Sequence, residues 1–295
     1  MTVRYTQNAR NTQIVLLRAK RQIRTHVKIG SQAHRSSAIS GSNEDTIVVR
    51  GKDLSSELMG HIGFTDYFWF LLTGSQPSAT QRRMLDATLV AISEHGLVPS
   101  VQASRMTLAA APEALQGAVA AGILGCGSVV LGSAESAGRF FAEIARGVDG
   151  GSDLDQSIAT VVTGYRAARR SIPGYGHPQH KGGDPRTQRL LDIAAESGGS
   201  GRYVCIAQRI EQLLPDLLGK RLPLNVSGAI PAVLLDVSYP LEALKGIPIL
   251  ARTASLIAHL LEEQQRPIGF ILAHSGSSAI DYDGPAPEGF QAQRD

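Results

Sequence analysis

The chain has 295 residues and a mass of 31.3 kDa, and 43% of its residues are hydrophobic, enough for a real core, which excludes a disordered or fibrous protein. Its formal charge of +3 is uneven: residues 1–43 carry eight Lys or Arg and no acid, and the rest of the chain has 21 basic against 26 acidic residues. Aromatics at 5% disfavour a stacking platform for nucleic acid, two cysteines cannot form a disulfide framework, and neither a run of 18 apolar residues nor a signal-peptide core is found, so a soluble, cytoplasmic protein without nucleic-acid or membrane partners is expected.

Residues 1–43 read as a basic arm; an acid-free, Arg-rich start suits a transit peptide, a nucleic-acid contact or an arm packing on a partner subunit, and the absence of interleaved aromatics favours an arm that packs on a subunit or is simply solvated. Strand-like alternation occurs only at Thr12 to Leu17 and Asp45 to Arg50, which allows a short hairpin. Beyond it, apolar residues recur every three or four positions and predict helices over Leu54 to Leu72, Ser78 to His95, Ala114 to Leu124, Ala134 to Ile144, Leu154 to Ala168, Thr187 to Ala195, Tyr203 to Leu214, Ala229 to Val237 and Gly246 to Glu263. Glycine, proline and serine place loops at 147–152, 171–186, 196–201 and 237–239 and a tail from Ser275. The expected fold class is all-α.

Chemistry concentrates in one loop, Ile172-Pro173-Gly174-Tyr175-Gly176-His177 followed by Asp184-Pro185-Arg186. Glycines 174 and 176 let backbone groups approach a ligand, His177 can exchange a proton near neutral pH, and Arg186 can grip a carboxylate through two hydrogen bonds. His177 and His180 have metal-like spacing, but no third ligand accompanies them, so no metal is expected. His95 at a helix end, His259 on an apolar helix face, and Arg186 and Arg252 as ion-pair partners each have an ordinary structural use.

This loop resembles the central active-site loop of the citrate synthase family, and the resemblance extends over most of the chain. Arg50-Gly51-Lys52-Asp53 and Leu71-Leu72-Thr73-Gly74-Ser75-Gln76-Pro77 are similar to its early signatures, and Glu94-His95-Gly96 falls where it has a substrate-contacting histidine. Leu224-Asn225-Val226 matches an Asn-Val-Asp motif, and Ala251-Arg252 with Ala258-His259-Leu260-Leu261-Glu262 matches a later one. The short chain and the surroundings of His95 look more like citryl-CoA lyases and the C-terminal module of ATP-citrate lyase.

The resemblance implies a two-domain helical homodimer, with residues 44–136 and 246–295 in a large domain and 137–245 in a small one. A cleft between them would take a CoA thioester and a 2-oxo acid as substrates, with no permanently bound cofactor. It further implies that His177 moves the substrate hydroxyl proton, that His95, Arg186 and Arg252 hold the oxo acid, and that the backbone of Pro173, Gly174, Tyr175 and Gly176 receives the adenine. Three positions depart from the family pattern: Leu131 stands where a His is usual, Ser227 replaces the catalytic Asp, and Ala273 falls where the partner subunit's arginine is expected. Cleavage of citryl-CoA or a related 3-hydroxy-acyl-CoA is therefore the expected activity, with a non-catalytic ester-binding or regulatory paralogue and a condensing citrate synthase as alternatives.

Overall fold

The computed structural model describes residues 36–127, 133–176, 183–199 and 201–290, so the alternating stretch at Thr12 to Leu17 lies outside the described residues. The chain divides into two units, residues 1–61 and 62–295. In the first, β1 (Ser40–Ser42), β2 (Ile47–Val49) and β3 (Lys52–Asp53) form an antiparallel sheet in that order, with Ser40 opposite Val49 and Val49 opposite Lys52. Arg50 and Gly51 both take positive φ, 50° and 85°, and so make the two-residue turn whose twist matches the strands. Asp53 then accepts hydrogen bonds from the Ser56 amide (2.7 Å) and hydroxyl (2.9 Å) and starts a single π-helical turn, Leu54–Leu58. The helix expected to run from Leu54 to Leu72 is therefore broken: Gly60 turns the chain at φ 80°, and the next helix begins at Phe64.

The second unit is mostly helical, with α1 (Phe64–Thr73), α2 (Ala79–Ser93), α3 (Pro99–Ala110), α4 (Leu115–Leu124), α5 (Ser133–Asp149), α6 (Leu154–Ala167), α7 (Pro185–Glu196), α8 (Arg202–Leu218), α9 (Val226–Asp236), α10 (Gly246–Gln265) and α11 (Gly269–Ser278), and, among its described residues, one isolated antiparallel bridge, Tyr175 to Leu224. Polar side chains set the starts. Ser78 and Gln81 cap α2 reciprocally, and Asp153, Asp184 and Asn225 cap α6, α7 and α9. Two helices lack a predicted counterpart. The buried stripe of α3 includes Ser100, Ser104 and Arg105 beside Val101 and Leu108, and α11 buries only Gly269, so neither shows the apolar period of an amphipathic helix.

The core is built around α9, in which Val226 and every residue from Gly228 to Leu234 are buried. Phe140, Phe141 and Ile144 of α5, Ile206, Ile210 and Leu214 of α8, and Met84 and Leu85 of α2 belong to the same cluster. Truncating such a residue, Ile230 for example, costs about 2–5 kcal/mol because the close-packed surroundings cannot collapse fully into the cavity. Among the described residues, one helical stretch, Leu241 to Gln265, has the length and mean hydropathy (1.3) to cross a membrane, but it buries Arg252 and Glu263 inside this unit as a core helix does.

Candidate active site

The site is organised at the C-terminal end of α2. The helix stops at Ser93, Glu94 takes an extended conformation, and Gly96 reverses the chain at φ 68°, with half-buried His95 between them. One oxygen of the Glu94 carboxylate accepts the amides of His95 (2.9 Å) and Gly96 (2.6 Å), and the other accepts the Ser255 hydroxyl and lies 3.0 Å from Nε2 of His259. The Ser93 hydroxyl donates to the Ala251 carbonyl at 3.1 Å, so the end of α2 is stapled to α10. Partial burial pushes the Glu94 carboxyl up, but hydrogen bonds from Ser255 and Gly96, helped by His259, outweigh it and hold the group below the ordinary carboxylate value.

Two arginines reach this helix end. Arg252 of α10 is 2% exposed, and its one hydrogen bond among the described residues is a long one, Nη2 to the Ile92 carbonyl at 3.5 Å. Its Nε and Nη1 have no partner there. Burial pulls its pKa below the ordinary value and the like charge of Arg186 adds to this, against the opposing pull of Glu94. A buried cation whose donors lack partners is costly, and an anion placed at these nitrogens would lower that cost. Arg186 differs. Its Nε and Nη2 fork onto Asp184 at 3.0 and 2.8 Å, and Nη1 points to the Ala91 carbonyl at 3.5 Å. The ordinary use considered for it, an ion pair, is thus realised, and a ligand would have to share it with Asp184. Cys126 also lies within electrostatic reach of Arg252, its thiol pushed up by burial.

The glycine loop is anchored on the N-terminus of α9. Gly176 N donates to the Pro223 carbonyl (2.7 Å), Asn225 N to the Gly174 carbonyl (2.9 Å) and Asn225 Nδ2 to the Gly176 carbonyl (2.6 Å). Gly174, at φ 85°, is irreplaceable here, since a Cβ on it would stand 2.8 Å from the Gly228 Cα. Tyr175 is buried, donates to the Ala207 carbonyl at 2.8 Å, and is pushed far up in pKa by desolvation. Three of the backbone groups expected to meet an adenine are therefore already bonded to the Pro223 to Asn225 segment. Ser227 is half-buried in the first turn of α9, where an aspartate would meet the positive end of the helix dipole and a hydroxyl brings no charge.

Asp236 at the far end of α9 is occupied elsewhere: it accepts the amides of Gly201 (2.7 Å), Tyr203 (2.7 Å) and Val204 (3.0 Å) at the start of α8. His177 and Leu131 lie outside the described residues. Ala273 is exposed on α11. Beside the loop, a cleft of about 440 Å³ is lined by Arg166, Arg169, Arg170 and Lys220 together with Ile172 and Tyr175. This concentration of cations is a feature that the motif-based reading does not contain, although Arg169-Arg170 directly precedes the loop. Another cleft, about 480 Å³, runs between α2 and α7 along Val90, Ala91, Arg186 and Ile193. No group of three or more potential metal ligands occurs among the described residues.

Residues 31–270 match the family model described as citrate synthase, C-terminal domain. Among solved structures, the chain is similar to the citryl-CoA lyase of Hydrogenobacter thermophilus, with a TM-score of 0.76 and 31% identity over 87% of this chain and 97% of that one. It also shares the fold of the ATP citrate lyase of Methanothrix soehngenii, determined with citrate and coenzyme A (TM-score 0.69, 20% identity, 99% of this chain and 46% of that one). Among curated proteins, a citrate synthase of Deinococcus radiodurans is 28% identical over 67% of this chain and 52% of its own length. The chain spans about half the length of the curated relatives it matches.

Proposed function

The chain belongs to the citrate synthase family, and from that premise we propose that it cleaves citryl-CoA, or a related 3-hydroxy-acyl-CoA, to acetyl-CoA and a 2-oxo acid. The observation that carries the reading is the buried Arg252, whose Nε and Nη1 have no partner among the described residues and which reaches the last turn of α2 just before His95; it would receive the carboxylate next to the reacting carbon. His177 takes the hydroxyl proton, the carbon–carbon bond breaks, its electron pair passes to the thioester enolate, and protonation of that enolate yields acetyl-CoA. The cation-lined cleft at Arg166, Arg169, Arg170 and Lys220 suits the phosphates of coenzyme A, which enters as substrate.

The lobes 44–136 with 246–295 and 137–245 would close over these ligands. A homodimer would cover the exposed apolar residues of α4, α10 and α11, Leu124, Ile257, Leu261, Phe270 and Ile271 among them. The setting is the cytoplasm.

A second reading, a regulator that binds a CoA ester without turning it over, is favoured by one observation, the neutral Ser227 in the first turn of α9. Citryl-CoA and citramalyl-CoA cleavage, followed as acetyl-CoA release, together with calorimetric titration of the CoA ester, separates the two. We expect turnover that His177→Ala lowers by about 100 to 10,000-fold without loss of CoA affinity. Binding without turnover selects the regulator, and absence of both removes either reading.

A further inference from the structure

Four donors converge on Glu94, two backbone amides from its own turn and two side chains from α10. A carboxylate so engaged is stabilised as the anion and has little capacity to accept a proton, so it cannot serve as the base missing at Ser227. Its partners point to another task. Arg252, Ser255 and His259 follow one another at spacings of three and four, so they share one stripe of α10. Glu94 bonds the second and third members of that stripe with one oxygen and the backbone of His95 and Gly96 with the other. It therefore ties the position of His95 to the helix that carries Arg252.

We propose that Glu94 is the positioning residue of the oxo-acid pocket, setting His95 at a fixed distance from Arg252 so that one 2-oxo-acid carboxylate meets both. This rests on the reading that His95 and Arg252 hold the oxo acid. Neither Ser255 nor His259 contacts the ligand in this arrangement; both act through Glu94. Removal of the clamp weakens oxo-acid binding and leaves coenzyme A binding, which is built from α6, α8 and the glycine loop, as it was.

The test is calorimetric titration of the full chain with oxaloacetate and separately with coenzyme A. Glu94→Ala is expected to weaken oxaloacetate binding about tenfold, as a misplaced contact does, with coenzyme A affinity kept within about twofold. In a His95→Ala background the same substitution is expected to cost less than about twofold, because residues acting through one another are not additive. Glu94→Gln keeps an oxygen for the two amides and is expected to retain oxaloacetate affinity within about threefold. Equal losses in both backgrounds, or an equal loss of coenzyme A affinity, overturn the proposal. Should Glu94→Ala fail to fold, Ser255→Ala carries the same cycle, with a loss of about threefold that disappears without the His95 imidazole. If His95→Ala and Arg252→Met both leave oxaloacetate binding unchanged, the pocket itself is misassigned and the proposal falls with it; if they weaken binding and the Glu94 cycle is additive, only the positioning role fails.

Discussion

Two arginines are buried at α10, one packed against the helix and one carried by it, each 2% exposed, and they are treated in opposite ways. Arg105 of α3 is fully met: Nε bonds Glu263 at 2.6 Å, Nη1 bonds Glu262 at 2.8 Å, and Nη2 bonds the Arg266 carbonyl at 3.0 Å. Glu263 in turn accepts the amides of Ile268 (3.0 Å) and Gly269 (2.8 Å), which begin α11. Arg252, about three turns before Glu263 on α10, has a single long bond and two nitrogens with no partner among the described residues. A network in which each charge is answered locks α3, α10 and α11 together. A buried guanidinium with two nitrogens lacking hydrogen-bond partners among the described residues is costly unless something else supplies the anion, which is why the second arginine carries the functional proposal and the first does not.

The sharpest way to break this contrast is to truncate each arginine. Arg105→Ala should cost about 3–5 kcal/mol in urea unfolding, since it strands the buried Glu263 carboxylate, while the folded fraction keeps its ligand affinities. Arg252→Met should leave stability equal or raised, because an unpaired buried charge is replaced by a side chain of similar volume, yet weaken oxaloacetate binding by about a hundredfold, roughly 2.7 kcal/mol. If both variants lost stability alike, the distinction between them would be void. Arg186→Lys should weaken oxo-acid binding by a smaller factor, about tenfold, because Asp184 already holds its fork and a lysine cannot copy that geometry.

The smallest effect is in acid. Burial raises the Glu263 carboxyl, but hydrogen bonds from Arg105, Ile268 and Gly269 hold it below its ordinary value of 4.5. A group whose folded pKa is depressed stabilises fully above the unfolded pKa and loses that contribution as pH falls through the folded one. Stability should therefore fall as pH drops below 4.5, and the double variant Arg105→Met with Glu263→Leu should show a flatter decline over the same interval.

The sequence carries the helices whose burial is apolar and periodic, as at α2, α5, α6 and α10, because a stripe of large side chains is the same signal in both. It does not carry α3, whose stripe includes Ser100, Ser104 and Arg105, since the fate of those polar groups depends on partners as far along the chain as Glu263. The same limit applies at the site. Arg186 and Arg252 both reach carbonyls of the last turn of α2, those of Ala91 and Ile92 at 3.5 Å, while the grouping of His95 with them as an oxo-acid pocket is what the motif resemblance implies. That Arg186 is paired is partly legible from Asp184 two residues before it. The role of Glu94 is not, because Ser255 and His259 lie 161 and 165 residues away and nothing local announces them.

The anchoring of the glycine loop on α9 also has a kinetic meaning. Loop amides ordinarily exchange with solvent hydrogen through small local openings, but the Gly176 amide bonds the Pro223 carbonyl and the Asn225 amide bonds back to the Gly174 carbonyl, which ties the loop to the segment that leads directly into the most enclosed helix of the fold. Their release requires separation of the Gly174 and Gly228 backbones, which pack so closely that no side chain fits between them. Protection factors at these two amides should accordingly approach those of the α9 interior, and the stretch from Gly174 to Gly176 is hinged on a point that opens only when the core opens.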